Sequence, residues 1–268
     1  MKIIIAGAGA MGCLFGDMLH NNGNEVLLID NWKQHVNAIN QNGLEIIDSK
    51  GSHTDFIKAS LPSQSSGEFD LFIILTKAMQ TSEMMNSCKH LISEKTYILT
   101  LQNGLGNIEI LEQFVPKQKL IAGITTLGSS LLSPGKIESL GLGIVQIMHA
   151  NGIHSPMLDN INKTFIESGL NSSIFPDVLS IIWNKVAINC VLNPICALTG
   201  KTLENVSIYP GIKELSNNII DEIICVAKAE NINLDAEKIK LMLINLFSPK
   251  NCGTHAPSML QDIQNGRK

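Results

Sequence analysis

The N-terminal half of the chain repeats a short apolar run that is followed by glycine or polar residues and then by a stretch with helical periodicity. The apolar runs begin at Lys2, Glu25, Asp70 and Tyr97. Short β-prone runs that alternate with helical stretches are typical of a parallel sheet with helices on its faces. The pattern therefore predicts an α/β fold for this half.

The pattern changes toward the C terminus. Leu120–Met148 contains short β-like runs separated by glycine and by a Ser-Pro-Gly turn, so we expect strands that complete the sheet, with Gly128 and Ser129 at the border of the site. From about residue 170 the periodicity is mostly helical. The predicted helices are Asp177–Leu192, Gly211–Glu230, Ala236–Leu246 and a last segment from Pro257. We therefore predict two domains, residues 1–170 with the sheet and residues 171–268 with helices alone.

A glycine-rich loop follows the first apolar run. It consists of Gly7, Ala8, Gly9, Ala10, Met11 and Gly12. In a strand–loop–helix unit, Gly7 permits the tight turn, Gly9 lets the backbone approach a pyrophosphate, and Gly12 lets the helix pack closely on the strand. Asp30 ends the second apolar run about where such a fold holds its ribose-binding carboxylate. The combination predicts a Rossmann-type, doubly wound dinucleotide-binding domain rather than a glycine-rich turn without a ligand.

Two further polar residues follow predicted strands. Lys77 comes after the run that begins at Asp70, and Asn103 comes after the run that begins at Tyr97. Ligand sites in open α/β sheets lie at the carboxyl ends of the strands, so both residues are candidates for the same crevice. A solvated surface lysine and a plain Asn-Gly turn are the alternatives for these two positions.

A polar stripe crosses the apolar segment KVAINCVLNP. Lys185, Asn189 and Asn193 stand four residues apart, and each such step advances about 40° around a helix, so the three side chains share one face. That face presents one ammonium and two amides to a bound anion, although a solvent-exposed stripe has the same spacing. Because Asn193 precedes Pro194, we expect the helix to break or kink there.

Composition excludes several classes of protein. A chain of 268 residues with 44% hydrophobic and 16% charged content can bury a substantial core, and its net charge of −4 provides no basic field for nucleic acid. No run of about 18 or more apolar residues predicts a membrane span. The six cysteines form no CxxC pair, which favours reduced thiols in a cytoplasmic protein, and we expect no metal site.

Five segments together resemble the ketopantoate reductase family. They are GAGAMG near the N terminus, LTKAMQ, LQNGLG, WNKVAINCVLNP and PSMLQDI, in the family's order and approximate spacing over nearly the whole chain. The resemblance implies a Rossmann domain followed by an all-helical domain, with the active site in the cleft between them. It also implies NAD(P)H-dependent reduction of a branched 2-oxo acid to its D-2-hydroxy acid, which is pantoate in the reaction that gives the family its name.

The resemblance also implies a role for each candidate residue. Lys185 would be the general acid, Asn189 and Asn193 would hold the substrate, and Ser258 of PSMLQDI would bind the polar end of the substrate. Lys77 and Asn103 would lie beside the nicotinamide ribose. Hydride arriving at C2 of an oxo acid builds negative charge on the carbonyl oxygen, and an ammonium stabilises and then protonates that oxygen. A packing or capping amide is the alternative for Asn189.

The chain departs from the family after the second strand. Members that prefer NADPH carry a basic residue there, whereas this chain has Asp30 and Asn31. A carboxylate accepts hydrogen bonds from ribose hydroxyls and repels a 2′-phosphate, so we expect NADH to be favoured over NADPH. Lys33 is close enough in sequence to reach back to a phosphate and weaken that preference.

The family continues past the position of Lys268 with a glutamate that contacts cofactor and substrate, so we expect the helical domain to be truncated at its C terminus. An NADH preference favours the alternative of an NAD-dependent D-2-hydroxyacid dehydrogenase of the mandelate type. The truncation favours a non-catalytic dinucleotide-binding sensor, which the intact set of Lys185, Asn189, Asn193 and Ser258 opposes. The apolar content of the helical domain favours a homodimer.

Overall fold

The computed structural model of the protein describes residues 1–141, 143–248 and 256–266. The chain forms two compact units, Met1–Val178 and Leu179–Lys268. The first unit contains the sheets and the second contains the helices that follow, as the α/β prediction with a helical C-terminal region requires.

The first unit is built on an eight-stranded sheet in the order β12-β11-β8-β7-β6-β1-β2-β5. Neighbouring strands are parallel except for the antiparallel pair β11 and β8. The strands are β1 (Lys2–Ala6), β2 (Glu25–Ile29), β5 (Lys58–Ser60), β6 (Leu71–Ile74), β7 (Tyr97–Thr100), β8 (Leu120–Thr125), β11 (Ile144–His149) and β12 (Asn171–Ile174). Strands β2 and β5 lie on one side of β1, and strands β6, β7 and β8 lie on the other, as in a doubly wound fold.

A smaller sheet in the same unit has the order β4-β3-β10-β9, in which β3 and β10 are parallel. Its strands are β3 (Leu44–Asp48), β4 (Gly51–Asp55), β9 (Ser129–Ser133) and β10 (Lys136–Ser139). The helices of the unit are α1 (Ala10–Asn21), α2 (Lys33–Asn42), α3 (Thr81–Cys88), α4 (Asn107–Leu111) and α5 (Pro156–Glu167). Short 3-10 helices span Pro62–Gln64, Ala78–Gln80, Lys89–Leu91 and Lys117–Lys119.

The central strands are buried on both faces. Ile3, Ile4 and Ile5 of β1 and all four residues of β6 are fully inaccessible to solvent. Such continuous apolar runs are expected where helices cover both faces of a parallel sheet. Each buried aliphatic side chain contributes about 1.5–3 kcal/mol relative to exposure, so these strands form a rigid base for the loops at their ends.

The second unit packs its helices around one apolar cluster. The helices are α6 (Val178–Thr199), α7 (Leu203–Ser207), α8 (Ile212–Ala229), α9 (Ala236–Leu246) and α10 (Ser258–Gln264). Ala187 and Val191 of α6, Ile220 of α8, Leu243 of α9 and Leu260 of α10 all belong to this cluster. The unit therefore has a core of its own.

Three details differ from the sequence-based expectations. The second unit begins at Leu179, later than the predicted boundary at residue 170, because β12 pairs with β11 and extends the main sheet. Only β8 and β11 of Leu120–Met148 join that sheet, since β9 and β10 pair in the smaller one. Helix α6 continues through Pro194, so the predicted break is wrong, whereas the alternative of a kink stays a prediction. Buried residues on both sides of the proline explain why the helix continues, because tertiary packing supplies most helical stability.

Helix α6 is also, within the described part of the chain, the one helix long and apolar enough to cross a membrane by length and composition. Core helices of soluble proteins pass the same test. Ala187, Val191 and Cys196 of α6 are fully buried in the core of the second unit, whereas only 22% of the most apolar 18-residue window of the helix is buried.

Candidate functional site

Four neighbouring parallel strands end at one edge of the main sheet. They lie in the order β2, β1, β6 and β7. The segments that follow them are Asp30 after β2, the glycine loop Gly7–Gly12 after β1, Thr76 and Lys77 after β6, and Gln102 and Asn103 after β7. Because the carboxyl ends of parallel strands meet at one edge, the predicted dinucleotide-binding residues are gathered there.

The glycines of the loop differ in the space around them. Gly7 has φ +95°, and a Cβ atom on it would lie 2.5 Å from the backbone nitrogen of Thr76. A Cβ on Gly12 would overlap the carbonyl oxygen of Gly7. A Cβ on Gly9 would meet no atom within 4 Å. Gly7 and Gly12 are therefore required by the fold itself, whereas Gly9 leaves open space beside the backbone.

That open space adjoins the start of α1. Helix α1 begins at Ala10 with Gly9 as its N-cap, and no side chain caps this end. Gly9, Ala10 and Met11 are half-buried, whereas Ala8 is buried. The first N–H groups of a helix have no partner within the helix, and together with the helix dipole they favour an anion. The loop therefore fits a dinucleotide pyrophosphate.

Asp30 has one oxygen committed to its own loop. Its Oδ1 accepts a hydrogen bond from the backbone N–H of Trp32 at 2.9 Å, and its own N–H donates to the carbonyl oxygen of Ser60. The residue is half-buried, whereas Asn31 and Lys33 are exposed. The carboxylate is therefore held in a fixed turn at the end of β2.

Sequence reasoning missed two residues that donate hydrogen bonds to the glycine loop. His35 of α2 is fully buried, and its Nε2 donates a hydrogen bond to the carbonyl oxygen of Ala8 at 2.7 Å. The thiol of Cys13 donates to the same oxygen at 3.1 Å. Burial lowers the pKa of His35 and raises the pKa of Cys13, so both groups are neutral near pH 7. The available signal was a histidine on the apolar face of α2 beside Val36 and Ile39.

Lys77 and Asn103 are both exposed at the sheet edge. The side chain of Gln102, which sequence reasoning treated only as part of a turn, joins the two segments that carry them. Its Nε2 donates to the carbonyl oxygen of Thr76 at 2.8 Å. The positions of Lys77 and Asn103 are thus connected through one amide.

The predicted substrate residues belong to the second unit. Lys185, Asn189 and Asn193 are half-buried on α6, on either side of the buried residues Ala187 and Val191. Burial lowers the pKa of the Lys185 ammonium from 10.5 to about 8. An amine with such a pKa can lose and regain a proton near neutral pH, which general acid catalysis requires.

Ser258 is the first residue of α10 and is exposed. Leu260 of the same helix shares the apolar cluster with Val191 of α6. Gly128 and Ser129, the predicted border of the site, are half-buried, and Ser129 begins β9 in the smaller sheet. Within the residues that the structure describes, no group of three His, Cys, Asp or Glu side chains is arranged to hold a metal ion.

Each unit therefore carries one set of the predicted site residues. The first offers a backbone anion site, a carboxylate and two polar residues at one sheet edge. The second offers a lysine of lowered pKa and two amides on one helix. A dinucleotide fits the first set, and an oxo acid fits the second.

The chain is similar in sequence to the members of one protein family. The sequence profile of the ketopantoate reductase PanE/ApbA family matches residues 3–152, and the profile of the family's C-terminal region matches residues 177–268. A 2-dehydropantoate 2-reductase of Lactococcus lactis is 36% identical, over 100% of this chain and 86% of that protein.

Solved structures agree with these matches. A ternary structure of D-mandelate dehydrogenase with NADH and anilino(oxo)acetate has a TM-score of 0.96 and 34% identity, over 100% of this chain and 87% of that one. A 2-dehydropantoate 2-reductase structure from Geobacter metallireducens has a TM-score of 0.92 and 27% identity, over 100% and 88%. The chain therefore belongs to the ketopantoate reductase PanE/ApbA family.

Proposed function

We propose that the protein is a 2-dehydropantoate 2-reductase, which reduces ketopantoate to pantoate with NAD(P)H. Lys185 carries this proposal, because a half-buried lysine with a pKa of about 8 and two amides on the same helix face suit a developing alkoxide beside a carboxylate. The similarity to the Lactococcus lactis 2-dehydropantoate 2-reductase supports the choice of substrate.

The glycine loop and the edge of the main sheet hold the cofactor in this proposal. Gly7–Gly12 and the start of α1 bind the pyrophosphate, Asp30 binds the adenosine ribose, and Lys77 and Asn103 bind the nicotinamide ribose. The open space at Gly9 supports the first assignment, since a pyrophosphate must approach the backbone closely. When bound, NAD(P)H supplies the hydride.

Lys185 acts as the general acid. At pH 7 a group with a pKa of about 8 is about 90% protonated, so the ammonium form is available to stabilise and protonate the carbonyl oxygen. Asn189 and Asn193 donate amide N–H groups to the substrate, and the Ser258 hydroxyl binds its polar end. Amides and hydroxyls are uncharged, so they orient the substrate carboxylate by hydrogen bonds and form no ion pair that would compete with Lys185.

NADH is the preferred cofactor. The carboxylate of Asp30 is fixed by the Trp32 N–H, so it accepts hydrogen bonds from ribose hydroxyls and repels a 2′-phosphate. The exposed Lys33 reduces this preference without reversing it, because a mobile surface ammonium is well solvated.

A second candidate is an NAD-dependent D-2-hydroxyacid dehydrogenase of the mandelate type. The neighbour with the TM-score of 0.96 is a D-mandelate dehydrogenase in complex with NADH, and the same Asp30 favours NADH here. Both reactions use the same lysine and amides, so they differ only in the side chain of the oxo acid.

One experiment tests both candidates. The loss of NADH and of NADPH absorbance is followed with the purified protein and either ketopantoate or phenylglyoxylate. Faster turnover of ketopantoate supports the reductase, and faster turnover of phenylglyoxylate supports the mandelate-type enzyme. Binding of NADH without turnover of either 2-oxo acid contradicts both candidate functions.

We also infer a cytoplasmic homodimer. Five described cysteines are free thiols, as in a reducing compartment, and the second unit exposes Leu198 and Ile208. Sedimentation velocity of the purified protein tests the dimer.

A further inference from the structure

The side chain of Gln102 connects three chain segments at the edge of the main sheet. Its Nε2 lies 2.8 Å from the Thr76 carbonyl oxygen and 2.8 Å from the Thr81 Oγ1. Its Oε1 accepts a hydrogen bond from the Thr100 Oγ1 at 3.0 Å. Thr76 follows β6, Thr81 begins α3, and Thr100 ends β7. One amide thus joins two neighbouring strands and the helix between them.

The orientation of this amide follows from its partners. The Thr76 carbonyl oxygen can only accept a hydrogen bond, so the nitrogen of Gln102 must face it. The two hydrogens of that nitrogen serve Thr76 and Thr81. The Thr76 Oγ1, at 3.3 Å, is a further neighbour. Gln102 therefore has no hydrogen left to donate to a ligand, and its role is to hold other residues.

The segment held by Gln102 carries Lys77. Thr76 and Thr81 lie at the two ends of the connection between β6 and α3, and Thr81 is fully buried. Within the connection the Gln80 N–H donates to the Lys77 carbonyl oxygen at 2.9 Å. The connection is thus fixed at both ends by one side chain and braced in the middle.

The same amide bears on the other cofactor residues. Gln102 immediately precedes Asn103, and its backbone N–H lies 3.3 Å from the Thr100 Oγ1. Gln102 therefore holds the segment that carries Lys77 and directly adjoins Asn103 in the chain.

We propose that Gln102 is a positioning residue that sets Lys77 and Asn103 at the spacing required by the nicotinamide ribose of the cofactor. The inference rests on the proposed function, in which these two residues contact that ribose. It assigns Gln102 to one half of the cofactor only, because the glycine loop, the start of α1 and Asp30 hold the adenosine half without it.

This division makes the role measurable with two nucleotides. ADP contains the adenosine half and the pyrophosphate but lacks the nicotinamide ribose, whereas NADH contains both halves. Gln102→Met keeps the length of the side chain and removes its hydrogen bonds. We expect the dissociation constant for NADH to rise about tenfold, as for the loss of one or two hydrogen bonds, while that for ADP changes less than about twofold.

A second pair of variants guards against a folding defect in Gln102→Met. Thr81→Val keeps the shape of Thr81 and removes the oxygen that Gln102 contacts, whereas Thr81→Ser keeps that oxygen. Thr81→Val should weaken NADH binding several-fold, whereas Thr81→Ser should bind NADH with the affinity of the wild type. The thermal unfolding midpoint of each variant is measured beside the wild type.

The outcomes separate the inference from the proposed function. Wild-type protein that binds neither nucleotide overturns the proposed function, and this inference with it. Wild-type protein that binds both, with variants that weaken NADH and ADP equally or leave both unchanged, overturns the inference alone. Selective loss of NADH affinity in Gln102→Met and Thr81→Val, with recovery in Thr81→Ser, supports it.

Discussion

The Nδ1 atom of His35 accepts a hydrogen bond at 3.0 Å from the backbone N–H of Gly135, a residue 100 positions away in the chain. Since Nδ1 accepts, it carries no hydrogen, and the hydrogen of the neutral ring is on Nε2, which donates to the Ala8 carbonyl oxygen. Gly135 lies between β9 and β10. One neutral imidazole therefore connects the glycine loop to the smaller sheet.

This arrangement predicts loss of stability in acid. Protonation would place a hydrogen on Nδ1 opposite the Gly135 N–H, and burial already lowers the pKa of His35 below its ordinary value of 6.5. The folded state thus disfavours the charged ring. The neutral His35 ring stabilises the folded state fully above about pH 6.5. This stabilisation declines as the pH falls toward the pKa of His35 in the folded state. Urea unfolding at several pH values should show this decline.

His35→Gln should lose about 1–3 kcal/mol at pH 7 and show a shallower acid dependence than the wild type. The buried His149, whose pKa is also lowered by burial, accounts for part of the remaining slope. His90→Gln is the control, because His90 is exposed and its Nε2 also bonds a backbone carbonyl oxygen, that of Ser65. Equal slopes for His35→Gln and the wild type would contradict the role of His35.

One added methyl group should change the free energy of unfolding by different amounts at Gly12 and at Gly9. In Gly12→Ala the new Cβ overlaps the Gly7 carbonyl oxygen, and such overpacking costs about 1–3 kcal/mol of unfolding free energy. In Gly9→Ala the Cβ enters open space, so stability should change by less than about 1 kcal/mol. Chemical denaturation of both variants measures this difference.

Gly9→Ala should nevertheless weaken NADH binding at least about tenfold, because the methyl group lies where a pyrophosphate approaches the backbone. Titration of NADH by fluorescence checks this expectation. Wild-type affinity in Gly9→Ala would show that the loop does not bind the pyrophosphate, whatever the stability of Gly12→Ala.

The sheet edge could be predicted from sequence because its signals are local. Strands buried on both faces read as apolar runs, and the glycine pattern and Asp30 follow two of those runs directly. The four-residue spacing of Lys185, Asn189 and Asn193 predicted a shared helix face, and the family resemblance added the role of each residue. Strand β4 gave no such signal, since Gly51–Asp55 is polar and mostly exposed. It was missed, and with it the smaller sheet.

Other features depend on contacts that sequence spacing does not reveal. The hydrogen bond between His35 and Gly135 joins helix α2 to the turn between β9 and β10, and the three partners of Gln102 come from three separate segments. Pro194 indicated a break or a kink by its local chemistry, but helix α6 continues through it. Tertiary context decided each of these cases.

Asp30 predicts the cofactor preference. Asp30→Asn keeps an oxygen that can accept the Trp32 N–H and removes the negative charge that repels a 2′-phosphate. The ratio of kcat/KM with NADH to kcat/KM with NADPH should therefore fall about tenfold, mainly through a lower KM for NADPH. Steady-state rates with ketopantoate and each cofactor measure the ratio.

Asp48→Asn is the matched control for this variant. The Oδ1 of Asp48 accepts the N–H of Lys50 at 2.7 Å in the same kind of turn, but at the end of β3 in the smaller sheet. Its ratio should equal that of the wild type. If Asp30→Asn also keeps the wild-type ratio, the carboxylate does not select the cofactor.

Lys185 predicts both a rate and its pH dependence. Lys185→Met keeps most of the side-chain length and removes the proton donor, so kcat should fall by about 10²–10⁴-fold, while the dissociation constant for NADH stays within about twofold. In the wild type, kcat should decrease as the pH rises through about 8, because the ammonium is lost there. Equilibrium titration with NADH measures the dissociation constant, and a pH–rate profile measures the change in kcat.

Lys163→Met is the control, because Lys163 is an exposed lysine of α5 whose ammonium lies 3.8 Å from Glu167. It should change neither kcat nor the pH profile, since a solvated surface charge contributes little. Suppose that the residual activity of Lys185→Met still fell above pH 8. The titrating group would then be another residue, and the lowered pKa of Lys185 would reflect only the burial of its side chain.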